Sequence, residues 1–227
     1  MIITLDAGHG PGKNSNRGSL IGHEGDNNYL YSLVLKEALE AYQDVRVILT
    51  RNKNTDNPTL KERGAMAKGS ELLLSLHSNA FNGSAHGVSI FDSVQKPNKV
   101  LATALLNALS TFWKKRDVNY KVYPGLPNQD YYAILRESGA KSSMMIEHGF
   151  HDVLSDVKIY TTKRKEIAQT TAQTIAKHYG LKLKGTPPPA TGKLYRVQVG
   201  AYSIKENAEK LAKELQEKGY ATYITYR

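Results

Sequence analysis

The sequence predicts an α/β domain, a twisted and mostly parallel sheet flanked by helices, followed by a small βαβ module at the C-terminus. Three observations predict it. Short apolar runs alternate with amphipathic helical stretches along most of the chain. Several of those runs are continuously apolar, as strands buried on both faces require. Late in the chain the composition changes at Gly185-Thr186-Pro187-Pro188-Pro189-Ala190-Thr191-Gly192, a stretch that reads as a semi-rigid extended linker.

The strand candidates are Ile2 to Leu5, Val45 to Leu49, Leu72 to Leu76, Val88 to Phe91, Tyr132 to Leu135 and Met144 to Ile146. Between them, Leu30, Leu33, Val34, Ala38 and Ala41 share one helical face, and so do Leu101, Ala104, Leu105, Ala108 and Phe112. A third helix is expected over Lys163 to Tyr179, stopped by Gly180. Past the linker, Tyr195, Val197 and Val199 alternate with Arg196 and Gln198. Ser203 and Glu206 fit a capping box. Ala208, Leu211, Ala212 and Leu215 form a helical face, Gly219 ends it, and Tyr220 to Tyr226 resumes strand character. The expected organisation is a domain over 1–184, a linker over 185–192 and a module over 193–227. Units under about 40 residues usually need a partner surface. The module is therefore expected to dock on the first domain or to pair with a second tail in a homodimer.

The 227 residues include no cysteine. That excludes disulfides, thiolate metal sites and a cysteine nucleophile. Any metal must sit on His, Asp or Glu. The formal net charge of +10 suits an anionic partner, whether nucleic acid, a membrane surface or a polyanionic wall, and it also suits plain solubility. No run approaches the ~18 apolar residues of a membrane span. Met1-Ile2-Ile3-Thr4-Leu5-Asp6 enters a strand at once, without the basic leader and long apolar segment of an export signal. The expectation is a chain made in the cytoplasm without a signal peptide. No helix-turn-helix, RRM or zinc-finger pattern supports nucleic-acid binding.

Four residues carry candidate chemistry. His9 follows the first strand, His77 the third and Glu147 the last, while Glu24 precedes the Leu30 helix. Ligands of open α/β sheets bind outside the carboxyl ends of the strands. If those three strands are neighbours, His9, His77 and Glu147 meet on one rim and Glu24 joins from the side. Two His and a carboxylate are a catalytic zinc set, and a second carboxylate can serve as base and then acid. The spacing matches no local metal motif, so the placement at strand ends carries the reading. Two other readings fit less well. Ala7-Gly8-His9-Gly10-Pro11-Gly12-Lys13-Asn14 nearly makes a phosphate-binding loop, but the final Ser/Thr is missing and Pro11 removes a backbone donor. A glycosidase using Glu24 and Glu147 leaves both histidines without a role. His23, His86 and His178 read as hydrogen-bonded loop residues.

These residues resemble the zinc N-acetylmuramoyl-L-alanine amidases of the amidase-3 type. The matching blocks are Leu5-Asp6-Ala7-Gly8-His9-Gly10, Glu24 ahead of a helix, Leu74-Ser75-Leu76-His77-Ser78-Asn79-Ala80 and Glu147-His148-Gly149-Phe150. Thr50-Arg51, Arg63-Gly64-Ala65 and Leu135-Arg136 add support. The resemblance covers roughly residues 1 to 180. It implies one zinc ion on His9, Glu24 and His77, with Glu147 as the catalytic carboxylate. The implied reaction is hydrolysis of the amide between N-acetylmuramic acid and L-alanine in peptidoglycan. Asn79, Arg136, His148 and His151 are candidate substrate contacts. The chain departs from the family at Lys141-Ser142-Ser143, where a proline is common, and at His148 and His151. Two alternatives are a zinc peptidase acting elsewhere on the stem peptide and a wall-binding protein without turnover. The tail from Leu194 to Ser203 onward resembles half of a SPOR repeat, a peptidoglycan-binding fold that prefers glycan strands without stems. Similar tails follow amidases of mother-cell lysis at sporulation and some phage endolysins. That implies action on the wall after release.

Overall fold

The computed structural model describes residues 1–12, 19–184, 197–220 and 222–225. The chain divides into two compact units, Met1–Leu181 and Lys182–Arg227. The first contains, in order, β1 (Ile2–Ala7), α1 (Glu24–Glu40), β2 (Arg46–Leu49), α2 (Leu60–Met66), β3 (Leu72–Asn79), β4 (Val88–Asp92), α3 (Lys99–Leu109), β5 (Lys115–Asn119), β6 (Val122–Tyr123), β7 (Leu126–Asp130), α4 (Ala133–Arg136), β8 (Ser142–Phe150), α5 (Leu154–Thr162) and α6 (Arg164–Tyr179). The second contains α7 (Lys205–Glu217).

Six strands form one sheet in the order β2-β1-β3-β8-β4-β5. β1 runs parallel to β2 and β3, β3 to β8, and β4 to β5; only β4 against β8 is antiparallel. The sheet is mostly parallel, as its unbroken apolar runs predict. β6 and β7 form a separate two-stranded hairpin.

Side chains alternate between the two faces of a strand, so register divides the sheet's labour. Ile3, Leu5, Leu72, Leu74, Leu76, Met144 and Ile146 are all fully buried on the face that α1, α3, α5 and α6 cover. Each such side chain stabilises the fold by about 1.5–3 kcal/mol. On the other face, Leu73 and Met145 pack with Ile134 and Leu135 of α4 and with Ala67 and Ala140. Asp6, Ser75, His77 and Glu147 continue that second face toward the carboxyl ends of β1, β3 and β8.

The third predicted helix is α6, and Gly180 closes it with a left-handed φ of 65°. Tyr132 to Leu135 is not a strand. Tyr132 is the N-cap of the single turn α4, because a four-residue apolar run buried at one end of a sheet does not reveal its period. β5, β6 and β7 carry no apolar run, and β5 reads Lys-Arg-Asp-Val-Asn. It lies at the sheet edge, where charged side chains discourage further pairing.

In the second unit, α7 forms where its apolar face predicts a helix, and Gly219 follows its end at φ 87°. The Ser203–Glu206 capping box does not form. Ile204 is the N-cap and no side chain caps the helix, since a start one residue later puts Ser203 outside the first turn. The flanking strands of the expected βαβ module are absent at 197–200 and 222–225. A strand needs a neighbour for its N–H and C=O groups, and the described tail residues offer it none. The linker 185–192, Tyr195, Arg196 and Tyr226 lie outside the described residues, as do Lys13 to Gly18 of the first loop.

Candidate active site

β1, β3 and β8 are neighbours, so the three loops that follow them share one rim. Register pairs His77 directly with Glu147. His9 lies two residues past β1, and Glu24 is the first residue of α1. The helix dipole favours a carboxylate there. Glu24 Oε2 lies 3.1 Å from His9 Nε2, and Glu24 Oε1 lies 3.3 Å from His77 Nδ1. The Ser78 amide also donates to Glu24 Oε1 at 3.1 Å. One ligand atom from each of His9, Glu24 and His77 falls within 4.8 Å of the others. The rings of His9 and His77 meet edge to face at 4.9 Å.

The backbone is shaped for this approach. A Cβ on Gly8 would stand 2.2 Å from the His77 ring, so the close packing of that ring requires glycine. His9 itself adopts a left-handed φ of 63°, which costs a non-glycine residue on the order of 1–3 kcal/mol. Two buried arginines hold it there. Arg63 donates to the carbonyls of Ala7 and His9, each at 2.7 Å, and to Asp6 Oδ1 at 3.1 Å. Arg51 donates to the Gly25 carbonyl at 2.7 Å and to the His9 carbonyl at 3.4 Å. The two guanidiniums thereby tie the His9 loop to the start of α1.

The electrostatics favour a cation among the three ligand candidates. Burial pushes the Glu24 carboxyl up, yet hydrogen bonds to His77 and His9 and their charge hold it well below the usual carboxylate range. Burial opposes a charged His77, but its hydrogen bond to Glu24 and the charges of Glu24, Glu147 and Asp6 push it up to about 9. The cluster therefore retains positive charge on an imidazole at neutral pH. Burial pushes the Glu147 carboxyl up to about 7, with Glu24 adding to the rise and His77 opposing it. Glu147 Oε2 is buried and has no hydrogen-bond partner among the described residues. A divalent cation with two imidazoles and a carboxylate answers the first feature, and a reacting proton answers the second.

The other predicted site residues divide. Asn79 is partly exposed where β3 leaves register with β8, and its Oδ1 accepts from the Ala80 amide. Arg136 is partly exposed and donates to the carbonyls of Asp130 and Tyr131. His148 lies away from the rim. It follows Glu147 in a strand, so it points to the opposite face. It is fully buried there, stacked on Tyr160 at 4.9 Å and edge-on to Tyr31 at 4.8 Å. His151 is also buried, 3% exposed, and its Nδ1 bonds the Ser78 carbonyl at 2.9 Å. Its Nδ1 lies 3.7 Å from Glu24 Oε2, so it stands behind the three ligand candidates. His23 pairs with Asp26 one turn away, while His86 and His178 pair across the fold with Asp156 and Asn98.

The buried His148 makes the fold acid-sensitive. Burial drives its pKa down to about 3, against a hydrogen bond from Nδ1 to the His77 carbonyl. The unfolded chain binds this proton near 6.5, the folded chain near 3. Stability is thus complete above about 6.5 and falls as pH drops toward 3. His148→Phe is expected to lower stability by about 1–3 kcal/mol at pH 7, because the His77 carbonyl loses its donor. The same variant should lose less stability than wild type between pH 6.5 and 4.5. Urea midpoints at the two pH values check both signs.

Sequence comparison matches residues 3–177 to a family model described as N-acetylmuramoyl-L-alanine amidase, Amidase_3, and residues 157–227 to the SPOR domain. The N-acetylmuramoyl-L-alanine amidase CwlM of Bacillus licheniformis is 26% identical over 99% of this chain and 85% of its own length. A sporulation-specific N-acetylmuramoyl-L-alanine amidase of Bacillus subtilis is 26% identical over 98% of this chain and 83% of its own. The fold is that of the catalytic domain of CwlV, an N-acetylmuramoyl-L-alanine amidase from Bacillus (Paenibacillus) polymyxa. That structure superposes with a TM-score of 0.68 at 19% identity, covering 80% of this chain and 99% of its own. With the family model spanning the whole sheet and every residue of the rim, the chain belongs to the amidase-3 family of N-acetylmuramoyl-L-alanine amidases and carries a SPOR domain at its C-terminal end.

Proposed function

We propose that this protein is a zinc-dependent hydrolase of the amide bond between N-acetylmuramic acid and L-alanine in peptidoglycan. One observation carries the reading: His9, Glu24 and His77 converge within 4.8 Å beside Glu147, whose carboxyl is raised to about 7. His9 and His77 would present ring nitrogens to the ion, and Glu24 a carboxylate oxygen. Bound zinc supplies Lewis acidity for the scissile carbonyl and for an attacking water. Ionised Glu147 takes a proton from that water. It returns the proton to the alanine nitrogen as the C–N bond breaks. A carboxyl that burial raises above the usual carboxylate range suits both halves of that task.

Residues 1–184 form the catalytic part in this reading, and 193–227 the wall-binding part. The net charge of +10 supports additional attraction to anionic wall polymers, weakened by salt. The protein acts on the wall after release, in mother-cell or phage lysis. α7 has no buried residue, and Val197, Val199, Tyr220 and Tyr223 are exposed. That apolar surface supports a tail-mediated homodimer, which light scattering on the full chain and on residues 1–184 checks; two monomeric masses sink it.

The function is tested by digesting purified walls with the protein as prepared, after chelation and after zinc is restored, with products assigned by mass spectrometry. Free stem peptides with a new alanine N-terminus, lost on chelation and regained with zinc, are expected. Cleavage between stem residues would instead mark a peptidase. Walls retained without cleavage would mark a binding protein.

A further inference from the structure

The hairpin β6–β7 takes no part in that chemistry, yet it is an exposed aromatic surface held firmly in place. Tyr120, Tyr123, Leu126 and Tyr131 are between 42% and 45% exposed. At the base, buried Asp130 accepts from Ser93 Oγ at 2.6 Å and the Val94 amide at 2.8 Å. Arg136 donates to the Asp130 carbonyl at 2.8 Å and lies over the Tyr123 ring at 5.0 Å. Residues 120–129 contain no acid. The neighbouring acids are Asp130, consumed at the base, Asp92, which accepts from the Tyr120 hydroxyl at 3.3 Å, and Glu137, 3.7 Å from Arg136. Lys121 lies over the Tyr131 ring at 3.9 Å and the Tyr132 ring at 5.4 Å. Among the described residues it meets no carboxylate.

The sheet order fixes where this surface lies relative to the reacting groups. Tyr132 packs edge-on against Phe91 at 5.0 Å. Phe91 stands opposite Met145, and Ser89 opposite Glu147, so these four share one face. Along β1-β3-β8-β4 come first His9 and His77, then Glu147, then the aromatic layer under the hairpin. Glu147 hands its proton to the departing alanine nitrogen. On the amidase reading this places the alanine nitrogen at Glu147, and β4 is the strand next to Glu147 on the side away from the His9–Glu24–His77 group. Stem peptides combine carboxylates with apolar methyl groups and alkyl chains. A cation set among tyrosine faces complements both.

We infer that the hairpin over residues 120–131 is the platform for the peptide stem, with Lys121 pairing a stem carboxylate and the tyrosine rings packing its apolar parts. This rests on the amidase reading for its direction.

The test is equilibrium binding of a fluorescein-labelled L-Ala-γ-D-Glu-L-Lys peptide, and of its carboxamide form, to the full zinc-loaded chain. Lys121→Glu is expected to weaken the carboxylate peptide by about tenfold or more and the carboxamide form less than about twofold. Lys121→Gln should fall between wild type and Lys121→Glu, and melting temperatures confirm that both variants fold. Equal binding by all three proteins, or equal losses for both peptides, overturns the platform. Wall digestion separates the two readings. Charge-selective binding without released stems leaves the platform standing and removes the amidase. Released stems with binding indifferent to Lys121 do the reverse.

Discussion

Glu147→Gln is expected to lower turnover on purified walls by about 10²–10⁴-fold, the range of a lost general acid–base group, while zinc content is unchanged. The amide is isosteric, so His77, its partner in register, keeps its place. What disappears is a carboxyl that binds and releases protons near pH 7. Wild-type kcat/KM should therefore show an acid limb, set where Glu147 takes up its proton beside the bound ion, and the variant's residual rate should lack that limb. Stability moves the other way. In the zinc-free protein the folded carboxyl holds its proton up to about 7, whereas the unfolded one releases it near 4.5. Its contribution is full below about 4.5 and is lost as pH rises through 7. Glu147→Gln should melt above wild type at pH 8 and level with it at pH 4. Thermal scans of zinc-free protein check this. A variant that melts lower at pH 8 would mean that Glu147 is held by partners and does not stand unpaired in its buried position. The raised carboxyl is then a case of stability given up for activity.

The central sheet was readable because strands buried on both faces leave unbroken apolar runs, whereas the neighbouring of β1, β3 and β8 entered the sequence reading only as a condition and comes from the strand order. The rim was readable because His9, His77 and Glu147 end those runs. The hairpin that borders Glu147 was not. Val122-Tyr123 and Leu126 to Asp130 are short, without an apolar run, and exposed except toward Asp130, and pairing of that kind depends on what surrounds it. The direction of His148 did have a signal: one residue past Glu147 in a strand must face away from it. His151 follows the end of β8, where that alternation no longer applies, and its burial comes from Ser78 and Glu24. Arg51 and Arg63 gave no sign of burial in composition, since arginine is almost never fully buried unless paired. Their partners are largely backbone carbonyls, which no sequence pattern marks.

Arg63→Leu is expected to destabilise the fold by about 3–5 kcal/mol, the cost of leaving a buried charge without its partner. Asp6 is 1% exposed and lies 3.1 Å from Arg63 Nη1. Without the guanidinium, the Asp6 carboxylate keeps only the hydroxyls of Thr50 and Ser75, each at 2.7 Å. The carbonyls of Ala7 and Pro58 lose their side-chain donor as well. That loss is a large fraction of the 5–15 kcal/mol that holds a typical domain, and it should show directly as a lower urea midpoint. Arg63→Lys is expected to recover little, because an ammonium cannot fork across a carboxylate and three separate carbonyls. Asp6→Asn in the Arg63→Leu background removes the stranded charge and should recover part of the stability. If the double variant is no more stable than the single one, Asp6 is not the seat of the cost, and the loss lies in the His9 loop. Zinc affinity distinguishes these outcomes. The left-handed His9 backbone is held by Arg63 and Arg51 through its carbonyl, and Arg51 alone reaches it at only 3.4 Å. Both variants should therefore bind zinc more weakly than wild type, even where Asp6→Asn restores the fold.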